Sequence, residues 1–178
     1  MDFFEAVESR YSYRGDFKNE IIPRKNLIKI VEAGLRAPSG RNLQTTEFII
    51  LDDQFLVSEI NVLHKVNKAM QQARAYICCI VDQSPVESIY HEPSFHLEDC
   101  SAAVENMLLA ITAMGYASVW IDGWLRYENR KMILGDLLKI PRNKKIEVIL
   151  PVGIPLENLK NPKKKAFEER VFINKYQQ

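Results

Sequence analysis

Two guanidinium groups flank a small hydroxyl in the run Ser9-Arg-Tyr-Ser-Tyr-Arg14, at Arg10, Ser12 and Arg14. Forked cations beside a hydroxyl suit a phosphate, or the paired oxygens at the edge of a flat ring. A second polar group stands in Ala37-Pro-Ser-Gly-Arg-Asn-Leu-Gln44, where Pro38 and Gly40 mark a turn that presents Ser39 and Asn42. A third is the exit of Ala117-Ser-Val-Trp-Ile-Asp-Gly123, where glycine after Asp122 lets a backbone approach a planar ligand closely. The fourth is the basic run Asn161-Pro-Lys-Lys-Lys165, an anchor for one small anion. Taken singly each has a plain alternative: surface arginines, a capping turn serving its own backbone, an ordinary strand exit, a solvated basic tail.

Self-sufficient side-chain chemistry is not in evidence. No glycines have Gly-x-Gly-x-x-Gly or Gly-x-x-x-x-Gly-Lys spacing, which argues against a tightly held dinucleotide or ATP. His91 and His96 stand five apart with Pro93 between, unlike a zinc-binding helix pair, and His64 is isolated, so no metal site is expected. No serine sits in a Gly-x-Ser-x-Gly elbow. If the chain is an enzyme, a cofactor carries the chemistry.

The 178 residues fit a single domain over 1–178, and 47% hydrophobic with 26% charged residues is the balance of a globular protein. The net charge of +1 disfavours nucleic acid as a partner. It is unevenly spread: from Arg142 onward nine bases face four acids, a surplus of five, against fifteen and nineteen before it. No apolar run approaches the ~18 residues of a membrane span. The N-terminus shows no apolar signal core, so a cytoplasmic protein is expected. Cys78, Cys79 and Cys100 form no even disulfide framework and read as reduced core residues.

The elements that must carry these segments are a mixture. Asp2 and Glu5 form a capping box for a helix to about Ser9. A second helix begins near Pro23, buries Leu27, Ile30, Val31, Gly34 and Leu35, and stops before Pro38. Strands are expected at 47–52, 75–81, 116–121 and 146–152, with a short terminal strand at 170–174. Residues 55–73 hold one or two helices, 97–114 a central helix apolar on most sides, and 128–138 a surface helix. Without strict alternation of helix and strand, the class is α+β.

In their order and spacing the four segments resemble the nitroreductase family, over essentially the whole chain. That family has an Arg-x-Ser-x-Arg run, matched by Arg10, Ser12 and Arg14, and an Ala-Pro-Ser-x-x-Asn-x-Gln turn, matched from Ala37 to Gln44. Its long apolar helix ends in a glycine and a tryptophan strand, as at Gly115, Ser118 and Trp120. Pro151 to Pro155 and the lysines before Glu168-Glu169 complete the likeness. Tyr11 stands where the family often has a second base, and lysines replace a common arginine in the tail.

The resemblance implies a central mixed sheet flanked by helices in an intertwined homodimer, with FMN bound at the interface. Arg10, Ser12, Lys163 and Lys164 would serve its phosphate, and Arg14 with Asn42 the pyrimidine edge. The Gly123 backbone would face N5, Pro38 and Ser39 would come from the partner or from across the ring, and Tyr11 and Asp122 would also bind the cofactor. NAD(P)H would be a transient co-substrate, and hydride would pass to nitroaromatics, quinones or similar small aromatic acceptors in ping-pong fashion. The irregular stretch 85–95 stands where the family covers the substrate face, which makes Tyr90, His91 and Phe95 candidate substrate contacts. The rival readings are an FMN-binding or interaction protein with little turnover, a dehalogenase relative, and an unliganded α+β domain.

Overall fold

A computed structural model describes residues 1–65, 67–82, 94–159 and 161–176. Its centre is a three-stranded sheet in the order β1-β2-β3, formed by Glu47–Leu51, Ala75–Asp82 and Lys144–Val152. Both pairings are antiparallel, where the resemblance implies a mixed sheet. β2 is buried along nearly its whole length, and its side chains alternate between two cores. Tyr76, Cys78 and Ile80 join one cluster, while Ala75, Ile77, Cys79 and Val81 join the other.

Helices cover both faces. α2 (Arg24–Leu35) and α5 (His96–Ala113) pack on the Ile77 side, through Leu27, Ile30, Val104, Met107 and Ile111. The opposite core takes Val57 and Ile60 of α3 (Gln54–Leu63), Met70 of α4 (Lys68–Gln71) and Leu134 of α6 (Arg130–Leu137). α1 (Phe3–Ser9) carries the expected capping box, Asp2 accepting from the Glu5 N–H at 2.9 Å and Glu5 from the Asp2 N–H at 2.9 Å. Leu35, expected in the core, is instead exposed at the last turn of α2.

Two expected strands are absent from the described residues. Residues 116–121 meet the free edge of β3 only through isolated bridges, Ala117 to Gly153 and Ile121 to Ile149. Each bridge exchanges both of its backbone hydrogen bonds. In the register they set, the rung between them opposes Val119 to Pro151, and proline has no N–H to donate. The ladder therefore breaks at its middle. The terminal segment forms a 3-10 turn at Phe167–Glu169 and then a bend with Asn174 at a φ of 64°. Val171, Phe172 and Ile173 stay exposed, with no described strand beside them.

Candidate functional site

Three of the four singled-out segments lie side by side. After α1 the chain is extended, and the Tyr13 N–H donates to the Ser118 carbonyl at 2.8 Å. Farther along, Lys18 N–H donates to Ile154 O and Leu156 N–H to Asp16 O, both at 2.9 Å, around a Phe17–Pro155 bridge. Gly153 makes room there: a Cβ would collide with the Phe17 ring. The run beyond Pro155 then returns along the first segment. Leu159 N–H donates to the Tyr11 hydroxyl at 3.3 Å, and the Asn161 side-chain amide to Glu8 O at 2.8 Å. Lys163 and Lys164, both exposed, follow directly on a stretch anchored beside Arg10.

Arg10 is mostly buried and meets Glu105 of α5 through its Nε, 3.4 Å from Oε1. Arg14 is exposed and donates to the Ser12 carbonyl at 3.2 Å. Asp16, next to this cluster, accepts from Lys68 at 2.8 Å and Gln72 at 2.6 Å, and the lysine holds its carboxyl below the usual range. The buried hydroxyl of Ser118 has no hydrogen-bond partner among the described residues.

The second segment sits elsewhere, at the start of α5. Ser39 Oγ accepts from the Gln44 N–H at 3.0 Å, so this hydroxyl closes its own turn, as a capping residue would. Pro38 and Asn42 are exposed. The backbone is left-handed at Arg41, Asn42 and Gln44, with φ of 54°, 58° and 52°. Asp99 in the first turn of α5 accepts from the Gly40 N–H at 2.7 Å and from the Thr45 hydroxyl at 3.2 Å. None of the described hydrogen bonds or ion pairs of Pro38, Ser39 and Asn42 reaches Arg10, Ser12, Arg14 or Gly123. Phe95 packs its ring against Gly40, while Tyr90 and His91 lie outside the described residues.

The third segment ends in a 3-10 turn, Gly123–Arg126. Asp122 turns its carboxylate to Arg126 at 2.7 Å. Gly123 is exposed, and no atom lies within 4 Å of where its Cβ would stand, so the backbone here is open to a ligand. Trp124 is gripped on two sides. The Arg130 guanidinium lies 4.8 Å from its ring and donates to its carbonyl at 3.0 Å, and the His64 ring lies 5.1 Å away. His64 is buried, and burial, with the Arg130 charge, holds its pKa below the ordinary value.

Asp99, Trp124 and the Asp16–Lys68 pair were not singled out from sequence. Asp99 had a legible signal: it falls four residues before Ala103, on the apolar stripe of the central helix, where a carboxylate needs partners.

The model of the nitroreductase family matches residues 7–154. A protein of Methanothermobacter thermautotrophicus named "Putative NADH dehydrogenase/NAD(P)H nitroreductase" is 30% identical over 158 residues, covering 89% of this chain and 80% of its own. The crystal structure of a like-named protein from Bacteroides thetaiotaomicron superposes with a TM-score of 0.81 at 27% identity, covering 98% of each chain. An FMN-dependent nitroreductase from Clostridium difficile shares the fold, with a TM-score of 0.78 at 24% identity, over 97% of this chain and 99% of its own. By its sequence match and its fold, this chain belongs to the nitroreductase family and is an oxidoreductase.

Proposed function

We propose that the chain is an FMN-dependent oxidoreductase that works as a homodimer and passes hydride from NAD(P)H to nitroaromatic, quinone or similar small acceptors. The observation that carries this reading is the fastening of the Arg10–Arg14 run to both the Ser118 segment and the Leu159–Asn161 return. The run that carries Arg10 and Arg14 is thereby fastened both to the segment that leads on to Gly123 and to the one that leads on to Lys163 and Lys164. The name of the like-folded Clostridium difficile protein supports FMN as the cofactor, and the name of the archaeal relative supports NAD(P)H.

The donor set fits FMN. Arg10 uses Nε for Glu105, which leaves its terminal nitrogens to hold phosphate together with Ser12, Lys163 and Lys164. Arg14, exposed, holds the pyrimidine edge with Asn42, and its charge favours negative charge gathering there. Gly123 offers open backbone to the ring. Bound there, FMN supplies the capacity to take up hydride and hand it on. The residues bind and orient; none need act as acid or base. NAD(P)H and the acceptor use one open face in turn, which gives ping-pong kinetics.

A second copy of the chain answers two further features. α1 exposes Phe3, Phe4 and Val7 beside a groove that Leu109, Ala110 and Ala113 of α5 also line. The tail exposes Val171, Phe172, Ile173 and Tyr176. Apolar surface of this kind marks an interface. Dimerisation would also bring a partner's Pro38–Asn42 turn to a site that the chain's own turn does not contact.

The test is direct. The purified protein should be yellow, or turn yellow with added FMN, and should oxidise NAD(P)H when a quinone is supplied. A colourless protein that takes up no FMN overturns the proposal. A yellow protein without turnover reduces it to a flavin binder.

A further inference from the structure

Asp99 is a carboxylate placed where carboxylates are costly. It is only 7% exposed, faces the core along α5, and has no part in the cation cluster around Arg10. Its two oxygens are both engaged, and by the same loop. Oδ1 takes the Gly40 N–H at 2.7 Å and Oδ2 the Thr45 hydroxyl at 3.2 Å. A single side chain thus holds the two ends of the turn.

That turn needs holding. Arg41, Asn42 and Gln44 all have left-handed backbone, which side chains with a Cβ adopt only under restraint. Phe95, on the turn before α5, closes the other side: a Cβ on Gly40 would lie 2.5 Å from its ring. Gly40 is therefore fixed through its N–H by Asp99 and through its bare Cα by Phe95. Behind the turn is a cavity of about 130 Å³, lined by Asp99, Ser39, Thr45 and Thr46. The Thr46 hydroxyl is buried there without a partner among the described residues. The Ser39 hydroxyl closes the turn from within by taking the Gln44 N–H, while Asp99 ties its two ends to α5.

We infer that Asp99 is a positioning residue: its carboxylate clamps Gly40 to Thr45 and so presents Ser39 and Asn42 to the flavin. This rests on the FMN reading above. Asparagine at this position can reproduce both contacts, its oxygen accepting from Gly40 and its amide donating to the Thr45 hydroxyl. Leucine has the same branching at Cγ and can make neither.

The experiment compares wild type, Asp99→Asn, Asp99→Leu and Thr45→Val in FMN titrations, in the visible circular dichroism of bound FMN, and in amide exchange of the apoprotein. Asp99→Asn should stay within about threefold of wild type, and Asp99→Leu should bind FMN at least about tenfold more weakly. Thr45→Val, which cuts one of the two contacts, should fall between them. Exchange at Gly40 to Gln44 should quicken in Asp99→Leu, and the dichroism band should change. Should Asp99→Leu fail to fold, Thr45→Val decides, by a measurable loss of FMN affinity with faster exchange in the turn. Wild-type FMN affinity in Asp99→Leu, or in Thr45→Val where that variant decides, overturns the inference, whatever the exchange data show. A wild-type protein that binds no FMN overturns the flavin reading itself, independently of the variants.

Discussion

Arg10 Nε stands 3.4 Å from Glu105 Oε1, and this side-on pairing across α1 and α5 aims the guanidinium without consuming its terminal fork. Loss of the fork should weaken FMN binding through the phosphate. Arg10→Ala should cost on the order of 1.5–3 kcal/mol, roughly a ten- to hundredfold loss of affinity by fluorescence titration. Glu105→Gln removes only an aiming contact at a half-exposed carboxylate and should weaken binding by less than about 1 kcal/mol. Equal affinity in Arg10→Ala and wild type would take Arg10 out of the site.

Gly153 is the point where Phe17 crosses β3. Gly153→Ala drives a methyl into the ring and should destabilise the protein by about 1–3 kcal/mol, an overpacking cost. In a thermal melt that is a fall of roughly 2–4 °C per kcal/mol. Because the Phe17–Pro155 bridge fastens the chain that follows the first segment, FMN affinity should fall too. Phe17→Ala removes Cγ and both Cδ atoms, the ones in collision, so the double variant should lose less than the two single variants combined.

His64 gives stability a pH dependence whose sign is set. Its pKa in the folded protein lies below the ordinary 6.5, so the unfolded chain binds the proton more readily. Its contribution is complete above 6.5 and is lost as pH falls through the folded value. The melting temperature of wild type should drop from about pH 6.5 downward, and His64→Gln should flatten that slope. The Asp16–Lys68 pair acts in a different window, its contribution being lost only as pH falls below 3.8. Parallel melting profiles in both proteins would show that His64 does not titrate with folding.

Removal of residues 167–178 takes away the exposed Phe172, Ile173 and Tyr176. The truncated protein should be monomeric by light scattering at micromolar concentration and should hold FMN poorly. An intact dimer with full flavin content would place the interface elsewhere.

What could be read from the sequence was local. The Asp2–Glu5 box defines α1 within a few residues, and the unbroken apolar run at 75–81 could only be a buried strand. The Arg-x-Ser-x-Arg and Ala-Pro-Ser segments were visible because their residue types are unusual at that spacing. The misses were non-local. Nothing within 116–121 reveals that Pro151, far along the chain, lies opposite and withholds a donor. Leu35 has the right period for burial, but it is the last residue of α2 and stays exposed. The place of Asp99 on the apolar stripe calls for partners, and only the fold shows them to be Gly40 and Thr45.

The Leu159–Tyr11 and Asn161–Glu8 contacts join residues 148 and 153 positions apart. During synthesis, therefore, the Arg10–Arg14 run waits for nearly all the rest to leave the ribosome before its neighbour arrives. The pairing of β1 with β2 and the packing of α2 on α5 can form earlier, since all four lie well upstream of Leu159, whereas β3 emerges just ahead of it. On the FMN reading, cofactor capture then belongs to the last stage of maturation, with the closing of β3 onto the sheet. A nascent chain stalled before Leu159 would lack the contacts that fasten the Arg10–Arg14 run.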